Sequence, residues 1–396
     1  MQLISILGAT ESKHHHTYYY NNKEYHGRIT LEALLSINKY DRVVIFVTIE
    51  AEYKQILIIE ELSKKYNIQK VHIPSNEFDE IIEAVDKQIN EDTVLDLTQG
   101  FRHIPMLALI ASIQKKLSKI NYGISIIYAK TLEPDKIPSQ ESVKFEFINL
   151  SNYLDIAYVT TILEIFLSSY NIIEQYNIEN ENLKNLVLNL RKFSAAIIKG
   201  NLYQSIQEAS KIKEIISKIK TELKISKYIK GHLGKLEDEM SIYEKMGKLT
   251  IIEKLYEFSR IMFVKNNYGL VVESLKECMN ELFVEYYLLT SSKFKTMYKA
   301  QTKNEQYQLK TEIYRFIEIG KAKDKVLEEM LSNKELPKYD SKKLQNFLTK
   351  LRNSRNTIAH IAIDKEDSDK LVQYLSKNDE IVYLLETAKE TIEAYK

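Results

Sequence analysis

Across the first 150 residues, short runs of β-branched and aliphatic residues alternate with longer stretches of helical period, and beyond residue 151 the short runs stop. Strand-length runs separated by helix-length segments are the pattern of parallel strands joined by right-handed helical crossovers. The pattern predicts strands over 3–7, 42–48, 70–74, 93–98, 124–129 and 145–150, and helices over 28–37, 50–66, 77–90 and 103–119. From 151 onward only the 3.6-residue period remains. The expected fold class is α/β plus all-α. A Rossmann-like parallel sheet occupies residues 1–150, a helical connector 151–248 and a helical domain 249–396, with the two glycines of GHLGK at 231–235 as the candidate break in the helical part.

A chain of 396 residues with 44% hydrophobic and 28% charged residues can build such cores. No run of eighteen apolar residues is present, and the first ten residues lack the basic flank of a secretory signal. A soluble cytoplasmic protein without a membrane partner is expected. The single cysteine, Cys278, sits in a helical pattern and is read as a packing residue. The net charge of +1 neither demands nor excludes a nucleic-acid partner.

In an open α/β sheet the ligand crevice lies beyond the C-terminal strand ends, which points to the loops after the first and fourth predicted strands. The first reads Gly8, Ala9, Thr10, Glu11, Ser12; the other reads Asp96, Leu97, Thr98, Gln99, Gly100, Phe101, Arg102. A small-residue turn exposes backbone N–H groups, and a T-x-G turn opening a helix sets a positive helix end beneath a phosphate. Thr10, Ser12, Thr98 and Gln99 add hydrogen-bonding groups and Arg102 a charge. His14, His15 and His16 follow the first loop without a carboxylate or cysteine cluster, so they are read as lining or covering the crevice, and no metal site is expected. Tyr18, Tyr19, Tyr20 and Tyr25 fit either stacking on a base or a packed β-hairpin.

At the other end, LRNSRNTIAH (351–360) places Arg355, Asn356 and His360 within six residues. Five helical positions rotate two side chains apart by about 140°, so Arg355 and His360 flank a groove rather than share a ridge. An imidazole can move the proton of a ribose 2′-hydroxyl or of the leaving 5′-oxygen, and a guanidinium can offset charge on the phosphorane. No metal or other cofactor is required.

This stretch resembles the signature of the HEPN ribonucleases, in which an arginine, an adjacent polar residue and a histidine form the active site. Residues 266–288 are similar to the first helix of that domain, where an acidic residue often supports the site; Glu273 and Glu277 are the candidates, with two solvated glutamates as the alternative. The N-terminal segments 3–25 and 94–109 resemble the CRISPR-associated family once named for a D-x-T-H-G motif, which fuses a CARF domain to a HEPN domain. Asp96, Thr98 and Gly100 match that motif and Gln99 departs from its histidine; the family's Gly-Thr-Gly loop is replaced by Gly8 to Ser12. The resemblance implies a homodimer, possibly a higher oligomer, acting in type III antiviral defence. Cyclic oligoadenylate, cyclic tetra-adenylate before cyclic hexa-adenylate, would bind the CARF loops as activator. The HEPN site would then cut single-stranded RNA to a 2′,3′-cyclic phosphate and a 5′-hydroxyl. The alternatives are a nucleotide-sensing regulator whose helical half only dimerises or docks a partner, and a constitutive HEPN toxin.

Overall fold

The computed structural model describes residues 1–10, 13–118, 122–172, 178–222, 227–332, 341–359 and 378–395. The chain gathers into two compact units, Met1–Glu164 with Ile173–Leu188 and Lys218–His232, and Ile165–Ile172 with Asn189–Ser217 and Leu233–Lys396.

The first unit is built on one eight-stranded sheet of β1 (Gln2–Ile6), β2 (His16–Tyr20), β3 (Lys23–Gly27), β4 (Arg42–Val47), β5 (Ile68–His72), β6 (Asp92–Asp96), β7 (Gly123–Thr131) and β8 (Lys144–Asn149). The strand order is β3-β2-β8-β7-β6-β1-β4-β5. The five strands from β7 to β5 are mutually parallel, as the alternating pattern predicts. The sheet as a whole is mixed, which corrects the expected all-parallel arrangement. β8 returns antiparallel to β7 because no helical crossover separates them, and β2 and β3 form an antiparallel hairpin. Asn21 and Asn22, the two residues of its turn, have φ of 51° and 61°, the left-handed geometry that matches a two-residue hairpin to strand twist. Of the two readings of the tyrosine cluster, the hairpin is the one formed; Tyr18 is buried and stacks on Phe145 and Phe147 at 5.2 Å each.

Alternate strand residues feed two apolar layers. Leu3, Val43 and Ile45 pack with Leu31 and Leu34 of α1 (Thr30–Ile37) and Ile58, Ile59 and Leu62 of α2 (Ile49–Ser63). On the opposite face, Ile4, Val44, Phe46 and Leu95 pack with Ile81 and Val85 of α3 (Phe78–Gln88) and Ala108 and Ala111 of α4 (His103–Ser118). Near the C-terminal end of α4, Lys116 Nζ meets the buried carboxylate of Asp155 at 2.7 Å, on α5 (Ser151–Ser169). The other oxygen of Asp155 accepts the Glu179 and Asn180 N–H groups at 2.9 and 3.1 Å.

α6 (Glu181–Ile198), α7 (Leu202–Glu222) and α8 (Lys227–Met246) are each divided between the two units, and the second unit continues with α9 (Ile251–Val264), α10 (Tyr268–Thr290), α11 (Ser292–Ala300), α12 (Lys303–Ile319), α13 (Lys325–Ser332), α14 (Ser341–Ala359) and α15 (Asn378–Tyr395). α10 is the axis, buried along Val272, Leu275, Met279, Phe283 and Tyr287, and it packs against α9, α12, α14 and α15. Cys278 is fully buried with Sγ near the Ile252 carbonyl, in the packing role expected of it. Gly231 and Gly234 do not break the chain but lie inside α8. Burial of Leu233, Leu236 and Met240 in that helix outweighs the roughly 1 kcal/mol that each glycine costs.

Asp96 ends β6 and is completely buried. One of its oxygens accepts the hydroxyls of Ser5 on β1 at 2.8 Å and Thr30 on α1 at 2.9 Å; the other accepts the Thr98 N–H at 3.0 Å. Burial raises the Asp96 pKa above the ordinary carboxyl value, against the opposing pull of the Thr98, Ser5 and Thr30 hydrogen bonds. A carboxyl whose pKa is raised in the folded state binds its proton more readily there than in the unfolded chain, so its contribution to stability declines as pH rises from about 4 toward neutrality. Asp96→Asn, with its amide oxygen on the Thr98 N–H, is expected to fold and to flatten that decline in urea midpoints. Asp96→Leu strands three buried donors and is expected to lose about 1–3 kcal/mol or more at every pH.

Candidate functional site

The loops after β1 and β6 meet main chain to main chain. A Cβ on Gly8 would stand 3.2 Å from the Gly100 nitrogen. Gly100 itself has φ of +103°, and a Cβ there would fall 2.6 Å from Ile6 Cγ2, so the turn admits glycine alone without strain. Gln55, buried on α2, donates its amide N–H to the carbonyls of Gly8 and Thr10 and so fixes the first loop from below. Thr98 fixes the second: its hydroxyl oxygen accepts the Ala129 N–H at 2.8 Å, carrying the β6–β7 ladder into the turn.

Between these loops, the start of β2 and the chain before β8 lies a cavity of about 710 Å³. That is within the roughly 300–1,000 Å³ of small-molecule sites. Gly8, Ala9, Thr10, Thr98, Gln99, Gly100 and Phe101, seven of the loop residues predicted from sequence, are on its wall. Asp96 is not; it lies beneath the loops as their anchor. Arg102 is exposed on the turn and does not line this cavity. Glu11 and Ser12 fall outside the described residues.

The wall also holds groups that sequence reasoning missed. Arg28 forms a charge-assisted fork with Glu32, including a 2.5 Å contact, and a second pair with Glu61 at 2.5 Å. These carboxylates, Glu32 first, raise its pKa further, so it is a fixed cation. Lys54 is paired with Glu50, four residues earlier on α2, at 2.9 Å. Arg28 is therefore held in place by acids, whereas Lys54 and Glu50 form an exposed pair within one helix. His16 opens β2, nearly buried, and its Nδ1 accepts the Val143 N–H at 3.2 Å. The proton of the neutral ring is thus on Nε2, and burial, followed by the neighbouring His14 and His15, lowers the pKa so that the ring stays neutral. The i,i+4 spacing of Arg28 and Glu32 was visible in sequence, whereas nothing there sets Gln55 beneath Gly8.

In the second unit the structure brings together two of the residues singled out at the C-terminal motif. Arg355 on α14 places Nε 3.0 Å from Glu273 Oε2 on α10, with both side chains more than two-fifths exposed. Glu277, one turn further along α10, instead accepts from the Asn280 amide at 3.4 Å. Asn356 is exposed beside the pair, and His360 lies outside the described residues. One turn earlier, Arg352 contacts Glu318 at 3.0 Å, and that carboxylate is only 3% exposed. The two arginines therefore differ in kind. Arg352 neutralises a buried acid and is needed for packing, while an exposed pair such as Arg355–Glu273 is worth about 0–1 kcal/mol and yields readily to a competing anion. An exposed, oriented guanidinium of this sort can receive a phosphodiester.

Among the described residues no group of three or more His, Cys, Asp or Glu side chains is placed to hold a metal ion, and no helix is long and apolar enough to cross a membrane. Comparison with protein-family models finds no match, and comparison with curated proteins finds none.

Proposed function

We propose that this chain is a metal-independent endoribonuclease of the HEPN type, activated by cyclic oligoadenylate, cyclic tetra-adenylate first, bound at the loops after β1 and β6. The contact of Arg355 with Glu273, across 82 residues of sequence, carries the reading: it pairs the arginine of the motif with an acidic residue of the helix that the resemblance assigns a supporting role. The glycine turns at Gly8 and Gly100, where a phosphate can approach the backbone, support the activator half.

In the proposed reaction His360 takes the proton of a 2′-hydroxyl of single-stranded RNA, and the leaving 5′-oxygen receives a proton from that imidazolium, from the His360 of a second copy, or from water. The 2′-oxygen attacks phosphorus, the bond to the 5′-oxygen breaks, and the products are a 2′,3′-cyclic phosphate and a 5′-hydroxyl. Arg355 offsets the extra negative charge of the pentavalent phosphorane, and Asn356 hydrogen-bonds the phosphate. Glu273 orients Arg355 before substrate arrives. The nucleophile belongs to the RNA, so the chemistry needs no metal-bound water. The R-x4-H spacing of Arg355 and His360 suits a groove completed by a second copy of the chain, in a cytoplasmic homodimer acting in type III CRISPR defence.

Arg355→Ala and His360→Ala are each expected to lower cleavage of labelled RNA by about 10²- to 10⁴-fold in EDTA, with cyclic tetra-adenylate binding retained. Wild-type activity that disappears with EDTA and returns with Mg²⁺ would rule out the 2′-hydroxyl mechanism. Activation that is absent with every cyclic oligoadenylate would favour a regulator or a constitutive toxin instead.

At the sensing loops, Gln99→Ala and Gly100→Ala are expected to raise the concentration of cyclic tetra-adenylate giving half-maximal cleavage. The larger effect is expected for Gly100, where the added Cβ would meet Ile6. Maximal activity at saturating activator should stay near wild type, because a ligand shifts activity only through its preference for the active arrangement. An unchanged half-maximal concentration in both variants removes these loops from the sensing site.

A further inference from the structure

α14 carries five Lys or Arg residues and no Asp or Glu among its nineteen, while two helices it packs against are acidic: α10 holds four acids to one base and α15 five to one. Its inner face is the buried Leu344, Phe347, Leu348 and Leu351. Its outer face is the line of Lys342, Asn346, Thr349, Asn353 and Asn356, all exposed except the half-buried threonine. We propose that this outer ridge is the track that holds single-stranded RNA flanking the cut, with its amides on base edges and the cations beside it on phosphates; the inference rests on the ribonuclease reading of Arg355 and Asn356.

Alternating steps of four and three residues keep those five positions in one line along a helix. At about 1.5 Å per residue the line is about 21 Å long, the reach of about six stacked nucleotides at about 3.4 Å each. It ends at Asn356, next to Arg355, so a strand laid along it arrives at the proposed site. The cations stand on its flanks. Lys343 meets Glu390 of α15 at 2.5 Å, Arg352 meets Glu318 of α12 at 3.0 Å, Arg355 meets Glu273 of α10 at 3.0 Å, and Lys350 lies 4.3 Å over the Tyr383 ring. The pairs of Lys343 and Arg355 are exposed and yield to a competing phosphate. Glu318, which the Thr349 hydroxyl meets at 3.4 Å, is itself buried and presents no charge to the ridge. Acids on α10 and α15 repel a polyanion, so the acid-free helix between them is its path of least repulsion. Short amides both donate and accept, as base edges do, whereas an ammonium only donates and a carboxylate only accepts. Base edges are open to such contacts in an unpaired strand, which makes the partner single-stranded RNA.

The test uses the full chain as wild type, Asn346→Glu and Asn346→Lys, cutting a 12-nucleotide RNA and the dinucleotide ApA in EDTA with cyclic tetra-adenylate. Binding of the uncuttable 2′-O-methyl 12-mer and sedimentation velocity are measured on each protein. Asn346→Glu is expected to raise KM for the 12-mer about 5-fold and Asn346→Lys to lower it by about as much, with kcat within about 2-fold. Asn346→Lys should also steepen the log–log salt dependence of 12-mer binding by about 0.7, the increment of one single-strand phosphate. ApA at the proposed site ends short of residue 346, about 15 Å along the helix from Asn356, and should change by less than about 2-fold. Asn346 is exposed, so folding is not at issue. A wild type that cuts the 12-mer while the two charge variants shift together, or not at all, overturns the track and leaves the ribonuclease standing. Equal shifts for ApA and the 12-mer overturn the track as well. An altered sedimentation coefficient at unchanged 12-mer binding makes the ridge a contact between copies of the chain and overturns it too. Opposite shifts in 12-mer binding by a wild type and variants that cut nothing uphold the track and remove the ribonuclease. A wild type that neither binds nor cuts overturns both.

Discussion

The buried carboxylate of Asp96 holds together the end of the sheet on which the first candidate site stands. Three donors from three elements converge on it: Ser5 from β1, Thr30 from the start of α1 and the Thr98 N–H from the turn after β6. An acid in that position is costly to desolvate, which is why its pKa is raised. The hydrogen bonds offset the cost only while all three donors stay in place, so the carboxylate enforces a geometry as well as filling a space. With Ser5 and Thr98 fixed to the same group, the loops that leave β1 and β6 have little freedom. A Cβ on Gly8 would stand a tight 3.2 Å from the Gly100 nitrogen, and one on Gly100 would clash with Ile6 at 2.6 Å. The cavity is a consequence of this constraint, and Asp96 acts on it without touching its interior.

Charge is organised differently in the two units. Around the sheet cavity, Arg28 is oriented by Glu32 and by Glu61 of α2, and Lys54 makes an exposed pair with Glu50. Under the proposed function, a ligand there would be recognised by backbone N–H groups and shape before charge. On α14, two arginines one turn apart separate structure from availability. Arg352 is committed to the nearly buried Glu318, whose carboxyl burial pushes upward despite that arginine, while Arg355 holds an exposed partner that a phosphate can displace.

Much of this was legible in the sequence, and the losses have identifiable causes. The five parallel strands and four crossovers announced themselves through short β-branched and aliphatic runs set between stretches of helical period, and their ends moved by only a few residues in the structure. The edge containing β2, β3 and β8 was less legible because Asn21–Asn22 is a weaker turn signal than Asn-Gly, and because tyrosines suit both a strand and a base platform. Gly231 and Gly234 misled because helix propensity is local and the packing of Leu233 and Met240 is not. Gly8 and Gly100 could be read from the loop pattern, but Gln55 and Arg28 could not be tied to them, since a buried polar side chain on an apolar helix face gives no sign of what lies across from it. Glu273 and Glu277 stand one turn apart and were indistinguishable in sequence. The packing of α10 against α14 selects Glu273.

The helix α4 joins two of these features by its length alone. It begins two residues after Phe101, which lines the sheet cavity, and in its last turns Lys116 meets Asp155. The Lys116 and Asp155 side chains are 3% and 0% exposed, and the remaining oxygen of Asp155 is taken up by the N–H groups of residues 179 and 180. An ion pair this deep gives up several kcal/mol if either partner is left alone, so it resists any sliding of α4 against α5. The last turns of α4 are in this way tied both to α5 and to the N–H groups of residues 179 and 180, just before α6. Under the proposed function, an activator at the Gly100 turn shifts activity only through differential contact with two arrangements of this end of the sheet, and the buried pair fixes the far end of α4 against which such a shift would work.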